Sequence, residues 1–460
     1  MDVHVVILAA GKGTRMKSAL PKVLHRVAGR PMIDHVRAVA QVLRPRSTTV
    51  VIGHQAEVLE SAMPRHGDIT FVVQEPQLGT AHALLTTEPV LRDATGVLVL
   101  LSGDVPLLSG DTLKRLVERH VSRAAAATVV TAVVDDPSSY GRIVRVGEQI
   151  ARIVEERDAT SAECEIREIN SGIYAFALAG LFDAVRSIAS ENAQKEYYLP
   201  DLVAINRRRG LVVETVTVSN PDEIRGINSR VELAAVSRIV RDQKTAELMA
   251  SGVTIEDPAT AYIDRDVTIG ADTIVHPCVS LEGNTTIGMG CEIHSGARIV
   301  DSQIGDRVTV FNHCVITSAK VADDARVGPF AHLRAGADVR AHAKVGNFVE
   351  LKKTVVGAGS KAGHLAYLGD ATIGENVNIG AGTITCNYDG VKKNETVIED
   401  GAFIGSDTQL IAPVTVGKGA YVGSGTTIRQ NVPAGALAVS AGRQRNFEGW
   451  VEDRKKKQRD

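Results

Sequence analysis

Beyond Gly252 the chain keeps a six-residue beat that few folds can accommodate. Ile269, Val275, Leu281, Ile287, Ile293 and Ile299 fall six residues apart without a miss. After one five-residue step Ile304, Val310 and Ile316 resume the count, and a second short step leads to Val321, Val327, Leu333, Val339, Val345 and Leu351. Val416, Val422 and Ile428 close the series, and Gly follows many of these positions, as at Gly270, Gly288, Gly305, Gly328, Gly346 and Gly417. Such a period matches neither an amphipathic helix nor the alternation of a hairpin meander. It matches a parallel β-helix, in which each repeat forms one flat side and three repeats make a coil. About 180 residues at about 18 per coil give roughly ten coils, each rising about 4.8 Å. Aromatics at only 4% beside 42 glycines suit such tight coils better than a large aromatic core.

The beat lapses between Thr383 and Thr396. A solenoid gains nothing by interrupting its own stack, so this polar stretch with Asn387, Tyr388, Lys392 and Lys393 reads as a binding element projecting from the coil. Smooth β-helix flanks pack well in threes, so a homotrimer is expected. The polar tail from Arg443, ending in Lys455-Lys456-Lys457, reads as a solvated charge run.

The first half follows another rule. Val50-Val51-Ile52, Phe71-Val72-Val73, Val97 to Leu101 and Val129 to Val134 read as buried strands, and Met32 to Leu43 carries apolar residues at helical spacing. Strands alternating with helices predict a mostly parallel sheet covered on both faces, an α/β Rossmann-like domain. Asn228 to Ala250, rich in charge and alanine, reads as a connecting helix. The expected organisation is residues 1–229, a linker over 230–250, and the β-helix with its tail over 251–460, in keeping with a 460-residue chain too long for one core.

Near the start, Val5-Val6-Ile7-Leu8 runs into Ala9-Ala10-Gly11-Lys12-Gly13-Thr14-Arg15-Met16, with Pro21-Lys22 beyond. Glycines let backbone N–H groups approach a phosphate, and Lys or Arg neutralises charge as it builds. A loop at the carboxyl end of a first strand is where open α/β sheets bind nucleotides. Two familiar templates fail. A Walker A loop needs G-x-x-x-x-G-K-[ST], and a dinucleotide loop needs a small residue where this chain has Met16.

Net charge is −2, from 52 basic and 54 acidic residues, which argues against a general nucleic-acid binder. Five cysteines without a C-x-x-C pair suit reduced thiols better than disulfides or zinc. No apolar run approaches the ~18 residues of a membrane span, and the start lacks the order of a signal peptide. A cytoplasmic protein with no membrane partner is expected.

Leu8-Ala9-Ala10-Gly11 with Gly13-Thr14-Arg15 and Pro21-Lys22 resembles the sugar-phosphate nucleotidylyltransferases. Joined to a hexapeptide solenoid, it is similar to the bacterial bifunctional N-acetylglucosamine-1-phosphate uridylyltransferases / glucosamine-1-phosphate N-acetyltransferases. Gln74 with Leu78-Gly79-Thr80-Ala81-His82, Gly103-Asp104-Val105-Pro106, Tyr140-Gly141-Arg142, Glu168-Ile169-Asn170-Ser171-Gly172 and Lys361-Ala362-Gly363-His364-Leu365-Ala366-Tyr367 carry the resemblance across nearly the whole chain. It implies left-handed coiling, acetyl transfer from acetyl-CoA to glucosamine 1-phosphate, and then uridylyl transfer from UTP, giving UDP-N-acetylglucosamine, a cell-wall precursor.

For the first site the resemblance implies that Leu8, Ala9, Ala10 and Gly11 line the nucleotide pocket, and that Gln74, Gly79 and Thr80 select uracil. Arg15 and Lys22 would neutralise charge between two polyanions. Ser102, Gly103 and Asp104 follow a buried strand, and Asp104 suits Mg²⁺ as a hard oxygen ligand. Asn228 would be the second Mg²⁺ ligand, although it could equally cap the helix that follows. Gly141, Glu155 and Asn170 would hold the sugar. Ser102 departs from the Tyr that the family often has there.

The second site must deprotonate a sugar amine, for which His is the usual base. Among His276, His294, His313, His332, His342 and His364, only His364 matches the family's base. Arg334, Lys352, Tyr367 and Asn378 would take the sugar phosphate, and Ala381, Asn387, Tyr388, Ser406 and Ser424, with Lys393, would take acetyl-CoA. The family has Arg after the residue matching Ser440, where this chain has Ala441, with Arg443 nearby. Two other readings stay open: a scaffold solenoid on an active nucleotidylyltransferase, or a wholly regulatory chain.

Overall fold

The computed structural model describes residues 1–63, 69–440, 442, 444, 446–451 and 454; Ala441, Arg443 and Lys455 to Lys457 lie outside the described residues. The chain forms two compact units, Met1–Val240 and Arg241–Asp460. Their division falls inside one helix, Arg230–Ala250, rather than at either of its ends. That helix begins at Ser229. The Ser229 hydroxyl accepts from the Glu232 N–H (3.2 Å), and the Glu232 carboxylate accepts from the N–H groups of Ser229 (2.8 Å) and Asn228 (2.5 Å). This reciprocal cap leaves the Asn228 side chain free for other work.

The first unit is built on a sheet whose strands are β1 (Val3–Leu8), β2 (Ser47–Ile52), β3 (Ile69–Val73), β4 (Val97–Ser102), β5 (Ala127–Val133), β6 (Arg142–Val146), β7 (Gln149–Val154), β8 (Glu168–Ala177) and β9 (Val213–Val218). The spatial order is β9-β5-β8-β4-β1-β2-β3, with β6 and β7 attached beside β8. All neighbours are parallel except β8, which runs antiparallel between β4 and β5, and the β6–β7 hairpin. The near-continuous apolar runs are explained by double-sided burial. Val5 and Ile7 join Ile33, Val36 and Leu113 on one face, while Val6 joins Leu84, Phe182 and Leu202 on the other. The helix expected over Met32 to Leu43 is α-helical for Met32–Ala40 and tightens to a 3₁₀ turn over Gln41–Leu43. Because β1 pairs with β2 on one side and β4 on the other, the order of strands reverses between β1 and β4. That is where an open sheet leaves a crevice; Leu8 faces Ser102 across it.

The second unit is a parallel β-helix. Tyr262 pairs with Ser280, Ser280 with Arg298, and Arg298 with Val315, so successive coils add 18, 18 and 17 residues. The aliphatic beat points inward, and two residues before many of these aliphatics sits a small one: Ala261, Ala297, Ser302, Ala319, Ala325, Ala331 and Ala343 are all buried, with Val267, Val279, Val308 and Val349 at the same position in other turns. The narrow corner takes nothing larger than valine among them. Cys291 and Cys314 occupy this same small position, and burial pushes the Cys314 thiol up to about 11. The corners also demand left-handed backbone at residues such as Asp272, His313, Asp324 and Asn376, each costing about 1–2 kcal/mol for a non-glycine residue. Burial of the aliphatic positions, about 1.5–3 kcal/mol each, offsets that cost.

The interruption is narrower than the sequence pattern suggests. Ile384–Cys386 remains a strand with Thr385 buried, and Thr396–Ile398 resumes the stack, so Asn387 to Glu395 alone leave it. The coil from Ile384 to Gln409 is 25 residues long, against 17 for Tyr367 to Ile384.

Candidate active sites

At the crevice between β1 and β4 lies a cavity of ≈ 470 Å³, lined among others by Leu8, Ala9, Ala10, Gly11, Gln74, Gly79, Thr80, Ser102 and Asp104. A second hollow of ≈ 210 Å³ shares Leu8, Thr80 and Ser102 with it and adds Gly141, Glu155 and Asn170. The expected nucleotide and sugar residues thus line two adjoining chambers that meet at the carboxyl ends of β1 and β4. Gly79 has φ 109°, and a Cβ there would come within 2.6 Å of the Tyr197 carbonyl. Buried Gln74 donates with Nε2 to the Gly79 carbonyl (2.9 Å), which turns its own carbonyl oxygen toward a ligand.

Lys22 links the two proposed metal ligands. Its ammonium pairs with Asp104 Oδ2 and donates to Asn228 Oδ1 (2.9 Å). One carboxylate and one amide oxygen converging on a cation form a hard donor set of the kind that suits Mg²⁺, which keeps its remaining positions for water and phosphate. Asn228 therefore does not serve as the helix cap. Arg15, on the 3₁₀ turn Thr14–Met16, is exposed and does not line either chamber, whereas Lys12, Gln77 and Glu196 line the first. The sequence offered one hint of Lys12, its place between the two loop glycines.

The sugar chamber is shaped by a defect in β8. Its pairing with β5 slips between Asn170 and Tyr174, and Gly172 there has φ 75°. Such a bulge re-aims a side chain. Asn170 Oδ1 accepts from the Gly172 N–H (3.1 Å) and the Tyr174 hydroxyl (2.9 Å), leaving its amide N–H groups for the chamber. A Cβ on Gly141 would stand 3.2 Å from Glu155 Oε1, so Gly keeps the approach to that carboxylate open.

Burial, reinforced by Asp158 and Asp201 and opposed by Arg142, holds the Glu155 carboxyl above its ordinary range. An acid raised in this way binds more protons folded than unfolded, so stability falls as pH rises from about 4.3 through the raised value. Glu155→Gln should raise the melting temperature at about pH 7.5 and leave it nearly unchanged at about pH 4. An equal shift at both pH values would refute this origin of the cost.

In the solenoid, His364 pairs in register with Asn347, and His364 Nδ1–H donates to Asn347 Oδ1 (2.5 Å). Asn347 was not singled out in the sequence, although it stands one 17-residue coil before His364. From Ala362↔Ile379, Ile379↔Ile404 and Ile404↔Val422, the same column continues through Ala381, Ser406 and Ser424. Beside it runs a column of glycines, including Gly346, Gly380 and Gly405. A Cβ at Gly380 would lie 2.5 Å from Ser406 N, and one at Gly405 2.6 Å from Ser424 N. The result is a flank free of side chains beside the His364 column.

Arg334 and Lys352 are neighbours in another column, and the next rung is Gly369. A Cβ on Gly369 would meet the Tyr367 hydroxyl at 2.5 Å and Asn387 Nδ2 at 2.8 Å, so this glycine keeps the space between them clear. Asn387 Nδ2 donates to Asp370 Oδ2 (2.5 Å), and Arg334 pairs with Glu350 (2.8 Å). The close approach of the Lys393 ammonium and its like charge, with Arg334 adding to them, hold Lys352 below its usual pKa. Three cations facing one spot call for an anion. Asn378 lies on the strand that follows Lys361–His364 in the stack. The projecting loop is pinned by Asp389, which accepts from the N–H groups of Val391 (2.9 Å) and Lys392 (2.8 Å) and from Asn394; these bonds lower its carboxyl to about 2. Tyr388 is exposed, its hydroxyl donating to the Gly390 carbonyl (2.7 Å).

A crevice at the carboxyl ends of β1 and β4 in one unit and the His364 column in the other are the two candidate active sites of a transferase. Residues 5–194 match the MobA-like NTP transferase domain, and 395–430 match the bacterial transferase hexapeptide (six repeats). "Bifunctional protein GlmU" of Pelobacter propionicus is 49% identical over 99% of this chain and 99% of its own length. Proteins of the same name from Trichlorobacter lovleyi (49%) and Heliobacterium modesticaldum (50%) align over 97% of both chains. The chain belongs to the bifunctional GlmU family. It is a uridylyltransferase joined to an N-acetyltransferase, with a left-handed β-helix, and it carries out the two-step synthesis of UDP-N-acetylglucosamine.

Proposed function

We propose that acetyl transfer to glucosamine 1-phosphate runs on residues 251–460, that uridylyl transfer runs on 1–229, and that 230–250 connects them. The observation that carries this reading is the column Asn347–His364–Ala381–Ser406–Ser424, which lines up the expected base with the residues expected at acetyl-CoA.

Asn347 Oδ1 accepts a hydrogen bond from His364 Nδ1–H, which keeps the proton on Nδ1 and the lone pair on Nε2. There it removes a proton from the sugar amine as nitrogen attacks the thioester carbonyl; the C–N bond forms, the C–S bond breaks and the CoA thiolate leaves. Arg334, Lys352 and Lys393 bind the sugar phosphate, with Tyr367 and Asn378 beside it. Acetyl-CoA follows Ala381, Ser406 and Ser424 under the Asn387–Tyr388 loop. Supporting a role for Lys393 at the phosphate is its contact with Lys352, which an anion between them would relieve.

In the first unit, a phosphate oxygen of N-acetylglucosamine 1-phosphate attacks the α-phosphorus of UTP and pyrophosphate leaves. Gln74 accepts from the uracil imide while Gly79 and Thr80 frame it, the Leu8–Gly11 backbone, Ser102 and Gly103 flank the nucleotide, and Gly141, Glu155 and Asn170 seat the sugar. Lys22 neutralises phosphate charge, with Arg15 available from the exposed turn. Mg²⁺ held by Asp104 and Asn228 would screen the two polyanions and stabilise the departing pyrophosphate.

A homotrimer is supported by an exposed apolar ladder, Phe330 (47% exposed), Phe348 (56%) and Leu365 (58%), along one solenoid edge. No helix among the described residues is long and apolar enough to cross a membrane. Dependence on UTP and acetyl-CoA supports a cytoplasmic setting.

The test supplies glucosamine 1-phosphate, acetyl-CoA, UTP and Mg²⁺ and follows free thiol and pyrophosphate separately. A chelator should stop pyrophosphate release and spare thiol release. Absence of both thiol and acetylated sugar with the wild-type protein would favour a solenoid that only scaffolds.

A further inference from the structure

We propose that the first coils of the solenoid bind a borderline divalent metal ion of the Zn²⁺ class through His276, His294 and Glu292, with Glu256 orienting His276. The site shares no residue with either candidate active site and does not depend on their assignment.

Stacking of the coils creates it. Ile255↔Val275 and Val275↔Ile293 place Glu256, His276 and His294 on successive rungs of one column, with Glu292 on the strand leading into His294. The ligand atoms of His276, Glu292 and His294 lie within 4.8 Å of one another. Glu292 Oε1 is 3.2 Å from His276 Nε2 and 3.4 Å from His294 Nε2. Ligands at about 2.0–2.1 Å around a tetrahedral ion stand about 3.3 Å apart. The imidazoles are stacked, centroids 4.6 Å apart and planes 14° from parallel, so opposed tilts would aim both lone pairs at one ion.

Proton accounting points the same way. Glu256 lies 2.9 Å from His276 Nδ1 and accepts its N–H in the Nδ1 tautomer. His276 Nε2 is in hydrogen-bonding contact with Glu292 Oε1 (3.2 Å), and in that same tautomer it presents a lone pair there. His294 Nε2 is buried, makes no hydrogen bond and faces that oxygen. In this tautomer three acceptors converge, an arrangement that a cation stabilises. A carboxylate holding the far N–H of a ligating imidazole is the usual outer support of a metal-bound histidine. Two imidazoles and one carboxylate suit Zn²⁺ over Mg²⁺.

The column does not continue as ligands. Its next rungs are Phe311, then Gly328 and Gly346, so the donors are confined to the solenoid's first coils. An ion there would tie the second and third rungs of this column, close to the end of the stack, where a repeat array frays first.

The test uses the full-length protein stripped with a chelator and dialysed against ZnCl₂ under excess Mg²⁺, which saturates oxygen sites. Bound zinc per chain and the melting temperature are then read. About one Zn²⁺ per chain is expected, lost in the His276→Asn/His294→Asn double variant, and a Zn²⁺-dependent rise in melting temperature should vanish with it. Glu256→Gln should weaken Zn²⁺ binding about 10–100-fold without abolishing it. Co²⁺ in place of Zn²⁺ should show the intense visible bands of a tetrahedral ion. Should the double variant fail to fold, Glu292→Gln alone gives the same reading. Unchanged zinc content in the variants, or weakly coloured octahedral Co²⁺, would overturn the proposal.

Discussion

His364→Ala is expected to lower acetyl transfer about 10²–10⁴-fold, the usual contribution of a positioned general base. Uridylyl transfer from supplied N-acetylglucosamine 1-phosphate should stay at the wild-type rate, because His364 and the nucleotide crevice belong to different compact units. Asn347→Ala separates positioning from chemistry. Without the Asn347 acceptor (2.5 Å), the His364 ring is free to turn and to carry its proton on Nε2, the nitrogen that must be bare. A fall in kcat of about 10–100-fold with little change in KM, and an altered pH profile, would mark that role. If His364→Ala retains acetyl transfer, the base lies elsewhere and the column has lost its meaning.

Lys22→Met should reduce uridylyl transfer about 10²–10³-fold, the loss typical when one preorganised charge stabiliser is removed. Acetyl transfer should be untouched. Lys22 holds Asp104 and Asn228 together, so its removal also leaves two oxygen donors facing each other with no cation between them. More Mg²⁺ should partly restore the variant, whereas Asp104→Asn should be restored far less, since it removes the charged ligand. A Mg²⁺ titration of pyrophosphate release for both variants decides the matter; identical titration curves would mean that Lys22 and Asp104 do not share one cation site.

The solenoid was legible because its repeat is short and its core demand is the same in every coil. Counting by six identified the inward aliphatic positions, and the structure adds only the small corner residues that lie between them. Counting became unreliable where coils shorten from 18 to 17 residues and where one swells to 25. Those steps decide which residues share a column, which is why Asn347 and Gly369 stayed hidden beside His364 and Tyr367. In the first unit the parallel strands were plain from their apolar runs. Strand β8 was not, because it inserts antiparallel between β4 and β5 and bulges at Asn170, a choice of pairing rather than of local propensity.

By its own pattern the sequence determined a two-part chain, a phosphate-binding loop after a first strand, and a coil of hexapeptides interrupted once. Each follows from local backbone preference and burial, which act over a few residues. Only the tertiary structure decided which side chains meet: Lys22 with Asp104 and Asn228, His364 with Asn347, Lys352 with Lys393, His276 with His294 and Glu292. The three sets in the solenoid join residues about one coil or more apart, and in the first unit Lys22 meets Asn228 across 206 positions. Such contacts depend on strand register and crossover, which no local period encodes. The chemistry of both sites resides in those meetings.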